Sequence, residues 1–165
     1  MVLEGQSEHV YTVDRIHERE IAVIGEGVEP LAWHYPPPTL LAVAPLSLAP
    51  FPLSLLIFTL FSILIYGGTL RTLDPRPVVR SMIWAFPGLF ICLVQGQNGC
   101  LTMGLLAFGL YALDRKPVLS GLLLGLLVYK PHFIPLIVLM LLLTRRWKAL
   151  VGLLATSCLA TLVSV

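Results

Sequence analysis

An uncharged stretch of 32 residues, 39–70, constrains the fold of this chain more than any other feature. Three prolines lie near its start, at Pro45, Pro50 and Pro52. Proline inside a helix removes a backbone hydrogen bond, so one continuous helix is disfavoured. The pattern predicts a short partial helix over 40–48 and then a membrane-crossing helix over 53–70. Eighteen helical residues rise about 27 Å, close to the roughly 30 Å of a bilayer's hydrocarbon core.

Shorter apolar segments follow, separated by a few polar or basic residues. Their ranges are 81–94, 100–113, 118–128, 133–144 and a last run from 149 onward. Pieces of about 14 residues fit three interpretations on hydropathy alone. They are short spans, re-entrant hairpins, or long helices that carry a polar defect.

Basic side chains concentrate in three segments between the apolar ones. Residues 71–80, 114–116 and 145–148 hold eight of the eleven Lys and Arg residues. Basic residues in short loops accumulate on the cytoplasmic side of a membrane, and these segments share one face if every apolar piece crosses. Charge and hydropathy together favour five crossings. The expected fold class is therefore all-α, a polytopic transmembrane helical bundle over 39–165.

The first 38 residues are a polar segment with seven acidic side chains against Arg15 and Arg19. We expect a short helix that Asp14 caps and that continues through Ile24. The five-crossing topology puts this segment on the extracytoplasmic face, yet its start lacks the basic and apolar regions of a signal peptide. The chain also ends inside an apolar run. Both observations favour a fragment, with an incomplete transmembrane domain.

Composition excludes several classes of protein. With 57% apolar and 12% charged residues the chain is too hydrophobic for an ordinary soluble domain, and membrane lipids are expected around it. No basic stripe indicates a nucleic-acid partner. Cys92, Cys100 and Cys158 lack CxxC spacing and a nearby His or Asp, so we expect packing roles and no metal site.

Two polar clusters interrupt the apolar segments: residues 95–99, here the amide turn, and residues 129–132, here the lysine turn. Fourteen helical residues rise only about 21 Å, less than the hydrocarbon layer, so both turns are expected below the outer surface. Irregular backbone at that depth requires cover from protein or a water-filled cavity. The two turns are therefore expected to face a shared recess. Gly121 and Gly125 form a GxxxG pair that lets another helix approach closely.

Gln97 and Asn98 offer amide donors and acceptors between two glycines. A tight hairpin turn is the competing interpretation. Adjacent carboxamides buried without partners are costly, which favours a ligand-binding role.

Lys130 is an ammonium group among apolar residues. It could extend to the interface, but a lone intramembrane cation indicates function, and phosphate is its natural counter-ion near lipid. We expect Lys130 to contact a phosphate, with His132 either assisting or lying at the surface.

Residues 33–38, with two aromatic rings, a histidine and three prolines, join the polar segment to the apolar region. They fit an interfacial anchor, or a site wall that includes His34 and Tyr35. Asp14 is the candidate general base, because Asp14 and Glu18 to Glu20 are carboxylates close together in sequence on the predicted outer face.

The order of five short motifs resembles glycosyltransferase family 87. These motifs are Trp33-His34-Tyr35-Pro36-Pro37-Pro38, Ala44-Pro45-Leu46, Gly96-Gln97-Asn98-Gly99, Tyr129-Lys130-Pro131 and Arg145-Arg146-Trp147. The resemblance implies a polytopic GT-C enzyme, a hexosyltransferase and often a mannosyltransferase. Such enzymes take a sugar from a polyprenyl phosphate on the outer face of the plasma membrane and need neither nucleotide nor metal.

The resemblance assigns Lys130 to the leaving phosphate, and Gln97 and Asn98 to sugar or phosphate oxygens. Family members carry an acidic residue at the outer end of a first helix, and no such helix precedes residue 30 here. A lipid or glycan would be the acceptor. The rival hypothesis is a non-catalytic membrane module, either a transporter piece or an envelope-assembly scaffold.

Overall fold

A computed structural model describes residues 5, 7–27, 29–30, 32–73 and 76–164. These ranges are helices, turns and loops without a β-strand, so the all-α expectation is confirmed. The α-helices are α1 (Val13–Ile24), α2 (Pro38–Val43), α3 (Phe51–Leu73), α4 (Pro77–Trp84), α5 (Pro87–Val94), α6 (Gly99–Ala112), α7 (Pro117–Gly125), α8 (Phe133–Leu143) and α9 (Trp147–Val163). Short 3-10 helices span Ser7–Tyr11, Ala44–Leu48 and Leu126–Tyr129.

Helix α3 has the length and composition of a membrane span. Its segment Phe51–Thr69 contains 19 residues with a mean hydropathy of 1.9, and most of that segment faces outward. Pro52 is accepted because it lies in the first helical turn, where its missing N–H would have no partner. A helix of spanning length is thus confirmed over the predicted range 53–70, and α2 with the following 3-10 helix matches the predicted partial helix over 40–48.

The five-crossing expectation is only partly supported. In the part of the chain that the structure describes, α3 alone reaches spanning length as a single helix. Helices α4 and α5 reach it together but meet at a bend of 43°. The other apolar helices have 10–17 residues, so a polytopic bundle stays a prediction.

Proline positions explain where the predicted boundaries were wrong. Residues 71–80 are not one loop: Arg71 lies in α3 and Arg80 in α4, because Pro77 begins α4. The expected single segment 81–94 is broken because Pro87 begins α5. Proline is favoured at the first position of a helix, so these residues start helices as well as ending them.

Helix α1 ends at Ile24 as predicted, but its start differs by two residues. Thr12 is the N-cap residue, and Asp14 lies within the first turn. Because Asp14 already has helical backbone, it cannot be the cap, although its charge still favours the helix N-terminus.

The packing of α7 against α9 is the closest helix contact, and it confirms the GxxxG prediction. A Cβ atom on Gly121 would collide with the Ala149 carbonyl oxygen, and one on Gly125 would lie 2.6 Å from that of Leu153. Leu124 and Leu153 are fully buried beside this contact. An ion pair of 2.5 Å between Asp114 and Arg146 brings together two of the basic segments.

Candidate functional site

A cavity of about 690 Å³ lies between residues 33–46, α3, the amide turn and the lysine turn. Its volume falls in the usual range for small-molecule sites, about 300–1,000 Å³. Much of the wall is apolar and comes from α3, with Phe51, Leu55, Ile57, Phe58 and Phe61. Polar side chains from the two turns and from residues 33–39 complete the wall.

The amide turn and the lysine turn are linked through Thr102. The Thr102 hydroxyl donates to the Asn98 carbonyl oxygen at 2.9 Å and lies 2.7 Å from the Tyr129 hydroxyl. Since Thr102 has one proton to donate, the Tyr129 hydroxyl is the donor in the second bond. Residues 96–98 of the amide turn and Tyr129 of the lysine turn line the same cavity, but Lys130 and His132 do not, so the predicted shared recess is only partly supported.

Local geometry positions the amide turn at the end of α5. Its backbone closes with a hydrogen bond from Gln97 N to Cys92 O at 2.8 Å. Gly96 has a φ of +61°, and a Cβ there would lie 3.1 Å from a methyl group of Leu55. Glycine is therefore required twice at this position, for the turn and for the approach of α3.

Asn98 is the N-cap residue of α6, but its side chain makes no capping hydrogen bond. An asparagine at this position usually accepts from a backbone N–H of the first turn. Its Oδ1 atom is instead buried without a hydrogen-bond partner. The side chains of Gln97 and Asn98 both belong to the cavity wall, and their binding role stays a prediction.

Two other polar atoms on cavity-lining residues are buried without a hydrogen bond among the described residues, the Thr39 hydroxyl oxygen and the Trp33 indole nitrogen. Burial raises the pKa of the Tyr11 hydroxyl, and the nearby Trp33 indole opposes that rise. The indole N–H nevertheless lacks the geometry of a hydrogen bond to this hydroxyl. Its ring meets that of Tyr35 edge to face, with centroids 5.4 Å apart. The Tyr11 hydroxyl donates to the Tyr35 carbonyl oxygen at 3.3 Å, which ties the polar segment to the cavity wall.

The candidates His34 and Tyr35 differ in position. Tyr35 and Trp33 line the cavity, which favours the site-wall interpretation of this segment. His34 is exposed and is not among the lining residues, so its role stays a prediction.

Lys130 lies in the loop before α8, next to Tyr129 but outside the residues that line the cavity. It is half-buried, and no carboxylate of the described residues pairs with its ammonium group. A buried cation without an ion pair has capacity for an anionic ligand.

His132 and Asp14 lie away from the cavity wall. His132 is exposed, and its ring contacts that of Phe133 with centroids 4.6 Å apart. Asp14 is exposed on α1 and does not line the cavity. No Asp or Glu occurs among the described lining residues, so the structure brings no carboxylate to the amide turn.

Sequence reasoning missed Thr39 and Thr102 as site residues. Thr102 follows Asn98 by four residues, the spacing at which a helical threonine reaches a carbonyl one turn back. Thr39 directly follows the three prolines, but nothing in the sequence shows that its hydroxyl lacks a partner. Apolar side chains and a few polar groups in one concave wall are typical of a small-molecule site.

The described residues define a helical protein in which α3 is long and apolar enough to span a membrane and a ligand-sized cavity lies beside it. The chain belongs to glycosyltransferase family 87, whose family model matches residues 33–165. The match begins at Trp33, where the motifs begin, and confirms the resemblance seen in the sequence. The chain is therefore a membrane glycosyltransferase. No curated protein and no solved structure matches it.

Proposed function

We propose that this protein transfers a hexosyl unit, first of all mannosyl, from a polyprenyl phosphate to a lipid or glycan acceptor. The observation that carries the proposal is the cavity, in which an apolar wall from α3 meets the amides of Gln97 and Asn98. A prenyl chain requires apolar surface, and a sugar requires hydrogen-bonding groups. Family membership supplies the reaction class, glycosyl transfer.

The reaction breaks the bond between the anomeric carbon and the donor phosphate oxygen. The phosphate leaves with the bonding electrons, and an acceptor hydroxyl forms the new bond and releases its proton to a base. We assign Lys130 to the phosphate, because its unpaired ammonium group can balance the charge that develops there. His132 is a second candidate for this contact. Asp14 remains a candidate base, although it is exposed on α1.

Substitution of Lys130 tests this assignment. Membranes that contain the chain are supplied with polyprenyl-phosphate mannose carrying radiolabelled mannose, and transfer is measured. Lys130→Ala is expected to reduce transfer at least tenfold, and Lys130→Arg to restore part of it. Lys116→Ala is the matched control, since it removes one charge from an exposed loop. Equal transfer by the wild type and Lys130→Ala would remove Lys130 from the mechanism.

We also propose a GT-C architecture in the plasma membrane with the cavity on the outer face, because three basic segments then lie on the cytoplasmic side. Position 98 tests the orientation. Asn98→Cys, in a chain whose native cysteines are replaced by alanine, is expected to react with an impermeant maleimide added to intact cells. Labelling only from the cytoplasmic side would contradict the proposed orientation.

A further inference from the structure

Thr39 has an unusual hydrogen-bonding state for a hydroxyl in a helix. Its side chain is 6% exposed, and its hydroxyl has no hydrogen-bond partner among the described residues. By contrast, the hydroxyls of Thr102 and Thr144 each donate to a carbonyl four residues back. Thr39 lies in the first turn of α2, so the carbonyl four residues back precedes the helix. An unpaired hydroxyl destabilises the folded chain, so a persistent one indicates a partner from outside.

Asn98 has an unsatisfied hydrogen-bond acceptor, which complements the unsatisfied hydroxyl of Thr39. Its Oδ1 atom can only accept a hydrogen bond, and it lacks a donor although backbone N–H groups of α6 are adjacent. A phosphate diester has no proton to offer at neutral pH. A hydroxyl group can donate to Oδ1 and also accept from Thr39 or from the Trp33 indole N–H.

The charge of the wall agrees with a neutral ligand. The described lining residues include no Lys, Arg or His and no carboxylate. A phosphate here would lose its hydration without gaining a cation, and that is unfavourable. The half-buried ammonium of Lys130 lies outside this wall, next to Tyr129.

We propose that Thr39 and Asn98 form a subsite for a neutral, hydroxyl-bearing ring, the sugar of the substrate, and that the phosphate binds elsewhere, toward Lys130. This assignment rests on the proposed function and makes Thr39 and Asn98 specificity-determining residues. Both polar atoms are covered by neighbouring groups. Entry of the ring therefore requires rotation of the Thr39 and Asn98 side chains.

Binding of two short probes tests the subsite without glycosyl transfer. The full chain, with Trp84→Phe and Trp147→Phe, is placed in lipid nanodiscs so that Trp33 alone reports on the cavity. Octyl α-D-mannopyranoside and octyl phosphate, which share an apolar tail, are titrated below their micellar concentrations. The mannoside is expected to change the Trp33 fluorescence saturably, and the phosphate to do so at least tenfold more weakly.

Variants separate a sugar contact from a phosphate contact. Thr39→Val is expected to weaken mannoside binding about tenfold, the loss of one hydrogen bond, and Thr39→Ser to retain it. Asn98→Leu removes the acceptor oxygen at similar size and is expected to weaken mannoside binding about tenfold. Thr144→Val, outside the cavity, is the control for nonspecific effects and should leave binding unchanged.

Three results would overturn the subsite: tighter binding of octyl phosphate than of the mannoside, mannoside binding that is the same in Thr39→Val as in the wild type, or mannoside binding that is the same in Asn98→Leu as in the wild type. These outcomes are distinguishable from failure of the proposed function. If Lys130→Ala transfers mannose at the wild-type rate while mannoside binding still depends on Thr39, the phosphate assignment fails and the sugar subsite stands.

Discussion

Thr39→Val is expected to stabilise the protein. Valine has nearly the same shape as threonine, and the Thr39 side chain is only 6% exposed. The substitution removes a hydroxyl that has no hydrogen-bond partner in the folded chain. Leaving such a group unsatisfied costs about 1–3 kcal/mol, so the free energy of unfolding should rise by about that amount.

The change is measurable by thermal unfolding of the detergent-solubilised protein. For a chain of 165 residues, 1 kcal/mol corresponds to a Tm shift of about 2–4 °C. Thr144→Val serves as the control, because the Thr144 hydroxyl donates to the Met140 carbonyl oxygen at 2.7 Å and lies at the surface. That variant should be neutral or slightly destabilised.

A lower Tm for Thr39→Val than for the wild type would refute this reasoning. It would mean that the hydroxyl is satisfied, by water or by a protein group, in the absence of substrate. The expected combination is higher stability with weaker sugar binding, the usual relation when a binding site retains an unsatisfied polar group.

Three further predictions concern packing, the link between the turns, and pH. Gly121→Ala is expected to lower the free energy of unfolding by about 3 kcal/mol, because the added Cβ would collide with backbone atoms of α9. Gly68→Ala is the control: its Cβ would make an ordinary contact at 3.5 Å, and the variant should be nearly neutral in the same unfolding assay. Tyr129→Phe removes the hydroxyl that donates to Thr102, so the free energy of unfolding should fall by about 1 kcal/mol and mannose transfer should be reduced. Unchanged transfer would contradict a role for this link between the two turns. Transfer should decline at high pH, where Lys130 loses its proton, and Lys130→Arg should extend the active range upward, because a guanidinium group stays protonated. Identical pH profiles of the wild type and Lys130→Arg would contradict the charge requirement.

The features that sequence predicted best are those fixed by local chemistry. The span of α3 follows from an uncharged run of membrane length, and the close approach of α9 follows from Gly121 and Gly125. The length argument, that short apolar helices leave the polar turns below the outer surface, predicted a shared recess, and the cavity agrees with it for the amide turn and Tyr129 but not for Lys130. For α3 and for the contact between α7 and α9, a single physical constraint outweighs the alternative structures.

The features that sequence did not predict depend on competition between nearby groups. Pro77 and Pro87 can end one helix or begin another, and sequence alone does not decide which. His34 and Tyr35 are neighbours, yet only Tyr35 lines the cavity, and the sequence does not show which of the two faces inward. The Thr39 hydroxyl lacks a hydrogen-bond partner among the described residues, and that depends on how α2 packs, which the sequence does not show.

The central claim is that the cavity beside α3 holds the lipid-linked sugar donor. Photo-crosslinking tests it most directly, with a polyprenyl-phosphate mannose that carries a diazirine in its prenyl chain and with the labelled peptides identified by mass spectrometry. Adducts are predicted on cavity-lining residues of α3, chiefly Phe58 and Phe61, and they should diminish when unlabelled donor competes. Adducts confined to the outward faces of α8 and α9, or α3 adducts insensitive to competition, would contradict the claim.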